Sequence, residues 1–260
     1  MRRHLSALWM LLLVAGAACS QSPSPPAQNP APSAAALPAA DSAAWTGVFG
    51  TRLPAASSPG REVVLLLRAD SSAILHTDYL NGEAPVVTAG TWLPADTSSV
   101  RLRLAPPGSH GSLDEMTLRR SGDTLTATRY DEERYGRSGL TLARRTAPEL
   151  AGTSWRAVAI LGQDALADPV STVTFEADGT LTGRGACNSF GGTYELAGAH
   201  LSTSQLFATR MACAEAVMDQ EQRFLAALEG AEYAILSETG ALWLYSSGEA
   251  APSQLHRLDP

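Results

Sequence analysis

The 260-residue chain contains no lysine: all 19 of its basic residues are arginine. That absence removes the chemistries that need a lysine amine, namely Schiff-base catalysis, pyridoxal phosphate attachment and the Walker A phosphate grip. Aromatic residues make up only 6%. The histidines His4, His76, His110, His200 and His256 stand far apart, so no two of them have metal-ligand spacing. There is no Gly-x-Ser-x-Gly elbow and no framed pair of acids, so no catalytic residue is assigned and no enzymatic activity is expected. No metal or cofactor is expected either. A formal charge of −7 argues against nucleic acid as a partner. Cysteines number only three, Cys19, Cys187 and Cys213.

What is present begins with an export signal. Arg2 and Arg3 precede an apolar run from Leu5 to Ala15, then the small residues Gly16-Ala17-Ala18, so residues 1–18 read as a signal peptide. The run is shorter than the ~20 residues of a membrane-spanning helix. Gly16-Ala17-Ala18-Cys19 resembles a bacterial lipobox, although Gly16 stands where leucine is commonest. The resemblance implies lipidation of Cys19 and attachment to a membrane through acyl chains, each methylene contributing ~0.8 kcal/mol. An ordinary secretory cleavage site with an incidental cysteine is the alternative. Ser20, where aspartate would signal inner-membrane retention, implies the outer membrane, facing the periplasm.

Residues 19–44 follow as the lipidated cysteine and a linker. Between 20 and 44 there are six Pro, nine Ala and five Ser, too little apolar surface to offset the entropy of ordering. Extended, this tether reaches about 75 Å. From Trp45 onward strands dominate: Glu62–Arg68, Ser72–Tyr79, Val87–Leu93, Val100–Leu104, Glu115–Arg119, Thr124–Thr128 and Leu140–Arg144. Val100-Arg101-Leu102-Arg103-Leu104 alternates strictly, and Ser121-Gly122-Asp123 signals a hairpin. The spacing predicts a meandering antiparallel barrel without a helix over residues 45–146. Residues 147–260 predict an α+β unit. Its strands are Thr153–Leu161, Val170–Phe175, Thr180–Ala186, Gly192–Leu196, His200–Ser202, Ala231–Ser237 and Ala241–Tyr245. One main helix covers Ala214–Glu229, with Val217, Met218, Glu221, Phe224, Leu225 and Leu228 on one stripe and Gly230 as its stop. Glu221 is the odd member of that stripe. The whole is mainly β. Charge divides unevenly: 12 Arg against 11 acids in residues 45–146, but 5 Arg against 14 acids in 147–260. The excess of acid reads as solubility, with a cationic partner or ion as the minority reading.

Two family resemblances add to this. Trp45-Thr46-Gly47-Val48-Phe49, then Leu53-Pro54-Ala55-Ala56-Ser57-Ser58-Pro59-Gly60 and the strand from Glu62, with Tyr79 and Gly90-Thr91-Trp92 beyond, resemble the N-terminal domain of NlpE-type copper-homeostasis and envelope-stress lipoproteins. That resemblance implies a lipocalin-like barrel. Ala55 and Ser58, however, stand where the family carries Cys-x-x-Cys. Alanine offers no ligand and serine a weak one, so copper binding or thiol chemistry is disfavoured here. The second unit resembles the META domain, the family that includes the heat-inducible HslJ proteins. It does so through Gly152-Thr153-Ser154-Trp155, Phe175-x-x-Asp178-Gly179, Gly183-Arg184-Gly185-Ala186-Cys187-Asn188, Gly191-Gly192-Thr193-Tyr194, Thr209-Arg210-Met211-Ala212-Cys213, and Met218, Glu221 and Phe224. Within this set Gly185, Cys187, Asn188, Gly192, Thr209, Met211, Ala212 and Cys213 are expected to be structural. The resemblance implies stress tolerance and no established catalysis.

After export the compartment is oxidising, which favours a Cys187–Cys213 disulfide. Two buried thiols, or a metal or redox site recruiting Met211 or His200, are the alternatives. Gly183-x-Gly185 lacks the third glycine of a dinucleotide loop, so backbone permissiveness explains both glycines, and Asn188 is expected to bond its own turn. His76 occupies a strand position compatible with exposure, and Asp131-Glu132-Glu133 reads as a solvated turn. The functional expectation is a non-enzymatic envelope lipoprotein in stress response or homeostasis, acting as a sensor or by binding another envelope protein. A lipocalin-like carrier of a small hydrophobic ligand is the alternative, with Val64, Leu66, Ile74, Leu102 and Leu104, or their neighbours, facing inward. The Leu-rich strands favour a packed barrel over a hollow one.

Overall fold

Alternation decides where each strand of the first unit points. Val100, Leu102 and Leu104 are buried while Arg101 and Arg103 are exposed, so one face of this strand fills an interior and the other meets water. The computed structural model describes residues 44–55, 58–81, 83–105 and 114–259. The leader 1–18, Cys19, the linker up to residue 43, and His110 lie outside the described residues.

Eight strands form the first barrel: β1 (Gly47–Leu53), β2 (Arg61–Leu67), β3 (Ser72–Asp78), β4 (Val86–Pro94), β5 (Ser99–Ala105), β6 (Asp114–Ser121), β7 (Thr124–Arg129) and β8 (Thr141–Arg144). Each pairs antiparallel with the next, and β8 returns to β1, so the meander closes. Gly122, with φ +58°, makes the β6–β7 hairpin in a conformation that a side chain would resist. Phe49, Leu65, Leu67, Trp92, Leu102 and Met116 are among the side chains that pack the interior. Asp131-Glu132-Glu133 is more than a solvated turn: Asp131 caps a one-turn helix, α1 (Glu132–Tyr135), accepting the N–H groups of Glu133 and Arg134.

The second barrel runs β9 (Thr153–Ile160), β10 (Gln163–Asp164), β11 (Thr172–Phe175), β12 (Thr180–Arg184), β13 (Ser189–Ala197), β14 (His200–Thr203), β15 (Phe207–Ala208), then helix α2 (Glu215–Glu229), β16 (Ala231–Leu236), β17 (Leu242–Ser246) and β18 (Ser253–Arg257). The ring is β9-β11-β12-β13-β14-β16-β17-β18, closed by β18 against β9, with β10 beside β9 and β15 beside β13. Helix α2 contributes Phe224, Ala227 and Leu228 to the barrel's core. No side chain caps its start at Ala214, and the Gly230 N–H closes its last turn on Ala226.

The continuous apolar run in β2 has two buried faces. Val63, Leu65 and Leu67, with Ala73 and Leu75 of β3, belong to the barrel interior. Of the two sets the sequence left open, the neighbours face inward, and Val64, Leu66 and Ile74 do not. They join Val48 in a separate cluster with Ile235, Trp243 and Tyr245 of the second barrel. Strand β17 divides likewise: Leu242 and Leu244 fill its own barrel, while Trp243 and Tyr245 meet the first. A one-residue difference in reading reverses every side chain of a strand, and a run apolar on both faces gives no clue to which is which. Leu102 and Leu104 do face inward.

Polar groups cross the same interface. His76 is only 2% exposed, not at the surface, and shares a 2.7 Å hydrogen bond through Nδ1 with the Tyr245 hydroxyl. Trp243 stands edge-on to its ring at 4.4 Å. The Arg68 guanidinium pairs with Glu232 at 2.8 Å and donates to the Ser246 carbonyl. Buried Glu62 pairs with Arg145, and its second oxygen accepts the Glu238 N–H at 3.1 Å. Charges so buried are tolerated only when paired. Both barrels therefore belong to one compact unit.

Candidate functional site

In the second barrel the chain around Cys187 and Asn188, the loop of residues 205–214 and the first half of α2 converge. Cys187 and Cys213 are joined in a disulfide spanning 26 residues. The carboxylate of Glu221 accepts the Cys187 N–H at 3.0 Å, the Asn188 N–H, and the Asn188 side-chain amide at 2.7 Å. Asn188 Oδ1 in turn accepts the Met211 N–H at 2.7 Å and the Thr209 hydroxyl at 2.9 Å, while its amide also reaches the Met211 carbonyl. The Asn188 side chain thus does not bond within its own turn, although its backbone carbonyl accepts the Gly185 N–H at 2.7 Å. It ties two distant segments to the helix, and its polar atoms are committed to protein partners. Burial of Glu221, only 6% exposed, is explained by three donors converging on it.

The motif glycines serve this packing by their lack of bulk. A Cβ on Gly185 would lie 2.6 Å from the Glu221 side chain, and one on Gly192 would lie 2.6 Å from Leu206. Neither Gly183 nor Gly185 has positive φ, so room, not backbone permissiveness, selects them.

The network holds a loop that faces outward. Residues 207–216 are exposed throughout, Phe207 at 73% and Met211 at 53%. Ala212 is likewise exposed between Met211 and the disulfide. Phe207 was not singled out by sequence; its only signal was an apolar Leu206-Phe207 pair among polar neighbours. Gln220 was also missed. It is fully buried on α2, accepting the Leu166 N–H and donating to Pro169 and Ser171.

The remaining candidates lie elsewhere. His200 on β14 stacks edge-on with Tyr233, and the imidazole of half-buried His256 is pushed below its ordinary value by burial and by Arg156. The Ser58 hydroxyl donates to the Gly60 carbonyl, closing the β1–β2 loop in which Ala55 also lies. Among the described residues no helix is long and apolar enough to cross a membrane.

These features define a protein of two packed antiparallel β-barrels, the second carrying a disulfide-braced loop and one helix. Residues 148–257, in the second barrel, match the family described as the META domain. No curated protein matches the chain. Solved structures similar to it include a protein from Burkholderia xenovorans studied by NMR, 24% identical, covering 43% of this chain and 85% of that one with a TM-score of 0.37. Another is the Cpx pathway activator NlpE from Escherichia coli, 18% identical, covering 63% of this chain and 94% of that one with a TM-score of 0.26.

Proposed function

We propose that this chain is a lipid-anchored protein of the bacterial envelope that acts by binding another envelope protein in stress response or homeostasis, and not by catalysis. The observation that carries this reading is the braced loop. The META-motif side chains are spent on holding it, and what they hold outward is apolar, Phe207 and Met211. An exposed aromatic on a rigid support is the kind of anchor that dominates protein interfaces, because little entropy is lost when it docks. The lipobox-like Cys19, the tether behind it and the META domain support the envelope setting. A hydrophobic cargo inside the first barrel is not favoured, since Phe49, Leu65, Trp92, Leu102 and Met116 occupy that interior.

The test is photo-cross-linking in intact envelopes, with a photoreactive residue replacing Phe207 or, as a control, exposed Leu93 of the first barrel. A discrete protein adduct is expected from position 207, weakened by Met211→Ser. Identical patterns from both positions would remove the reading. Labelling with a radioactive fatty acid, expected in wild type and lost in Cys19→Ala, tests the anchor separately.

A further inference from the structure

Between the barrels lies an open cavity of about 600 Å³, within the range of small-molecule sites. Its walls come from the β3–β4 connection of the first barrel and from β9, β10, β17 and β18 with their loops in the second. Leu80, Val87, Val158, Trp243 and Pro252 supply an apolar surface. Three carboxylates, Asp78, Glu83 and Asp164, line it as well. Among the described residues no arginine lines the cavity, and the chain has no lysine to do so. The one basic side chain there, His256, is held toward its neutral form by burial and by Arg156. The cleft therefore combines an apolar body with uncompensated negative charge. Its rim is also built under constraint. Leu80 holds φ +55°, a conformation rare for a branched residue, and Asp78 braces it by accepting its N–H at 2.8 Å.

We propose that this cleft is a binding site for a small organic cation with an apolar body, its ammonium directed to Asp78, Glu83 and Asp164 and its hydrocarbon part to the Leu80–Trp243 wall. Both barrels contribute, so occupancy requires the packed pair. The site uses none of the residues of the Phe207 loop and stands or falls independently of it. A neutral apolar compound of the same shape gains the wall but leaves the carboxylates without a counter-charge. An anion of that shape is repelled by them.

Calorimetric titration of the full chain at low ionic strength with three compounds sharing one ring system tests this: 1-naphthylmethylamine, 1-naphthalenemethanol and 1-naphthoate. The amine is expected to bind about tenfold more tightly than the alcohol, and the carboxylate not to bind. The double variant Glu83→Gln with Asp164→Asn, both at exposed positions, is expected to cut the amine's advantage over the alcohol severalfold, with Asp78 retaining a remnant. Glu115→Gln, on the surface of the first barrel, should leave the preference intact. Ala84→Trp, at an exposed position on the cleft wall, should block amine and alcohol alike. Equal binding of amine and alcohol, no binding of either, or a preference undiminished by the double variant would overturn the proposal. So would binding undiminished by Ala84→Trp.

Discussion

His76 occupies a place where a charge would be costly. Burial pushes its imidazole from the ordinary 6.5 down to about 4, and among the described residues its Nε2 has no hydrogen-bond partner. The folded chain is then the weaker base, so the unfolded chain takes up the proton first as the pH falls. The contribution of this residue to stability is complete above about pH 6.5 and is lost progressively between 6.5 and 4, by about 3 kcal/mol in all. Urea denaturation at pH 7 and pH 4.5 should show His76→Leu with a smaller acid loss than wild type by about 2 kcal/mol. Equal losses would mean that the imidazole is not held neutral. At the same scale, Glu221→Ala leaves the Cys187 and Asn188 N–H groups without their acceptor and should cost about 3 kcal/mol. Thermal unfolding at pH 7 checks this. A shift within error would assign those donors to water.

Helix α2 lacks a capping side chain, and its start is instead fastened by the neighbouring disulfide. On the chain-entropy account, closing this 26-residue loop contributes roughly 3.5 kcal/mol. Reduction should therefore lower Tm, and it should open the loop to trypsin at exposed Arg210. Limited proteolysis with and without reductant gives the answer: equal resistance at Arg210 would show that the Asn188–Glu221 network braces the loop alone. Elements differ in how plainly sequence announces them. Strand β5 was legible because its arginines mark the wet face. Strand β2 was legible as a strand but not in orientation, because nothing polar marks either side of Val63–Leu67. The final strand β18, Ser253–Arg257, escaped notice: a short polar segment after Pro252, with Leu255 its one apolar residue, becomes a strand only because β9 and β17 receive it. The motif cysteines and Asn188 were visible as a set, and Glu221 was visible as an acid in an apolar stripe. The cleft was not, since it arises from loops of two barrels that sequence does not juxtapose.

At the scale of the molecule the two barrels share one apolar seam, so they should unfold together. Calorimetry is expected to show a single transition. Ile74→Asp, placed in the seam and outside the interior of either barrel, should split it into two by uncoupling the units. One transition in that variant would mean that the ion pairs around Arg68 and Glu62 suffice for coupling. The closure of the second ring has a temporal consequence. Strand β9 must pair with β18, about a hundred residues further along the chain, and a polypeptide is made from its N-terminus. The edge of β9 destined for β18 therefore waits, unpaired, while everything between is synthesised. Cys187 and Cys213 both lie within that interval, so a chain that emerges N-terminus first into an oxidising compartment can staple the loop before the ring is sealed. During that wait the open edge of β9, like that of β1 awaiting β8, is exposed to wrong pairing.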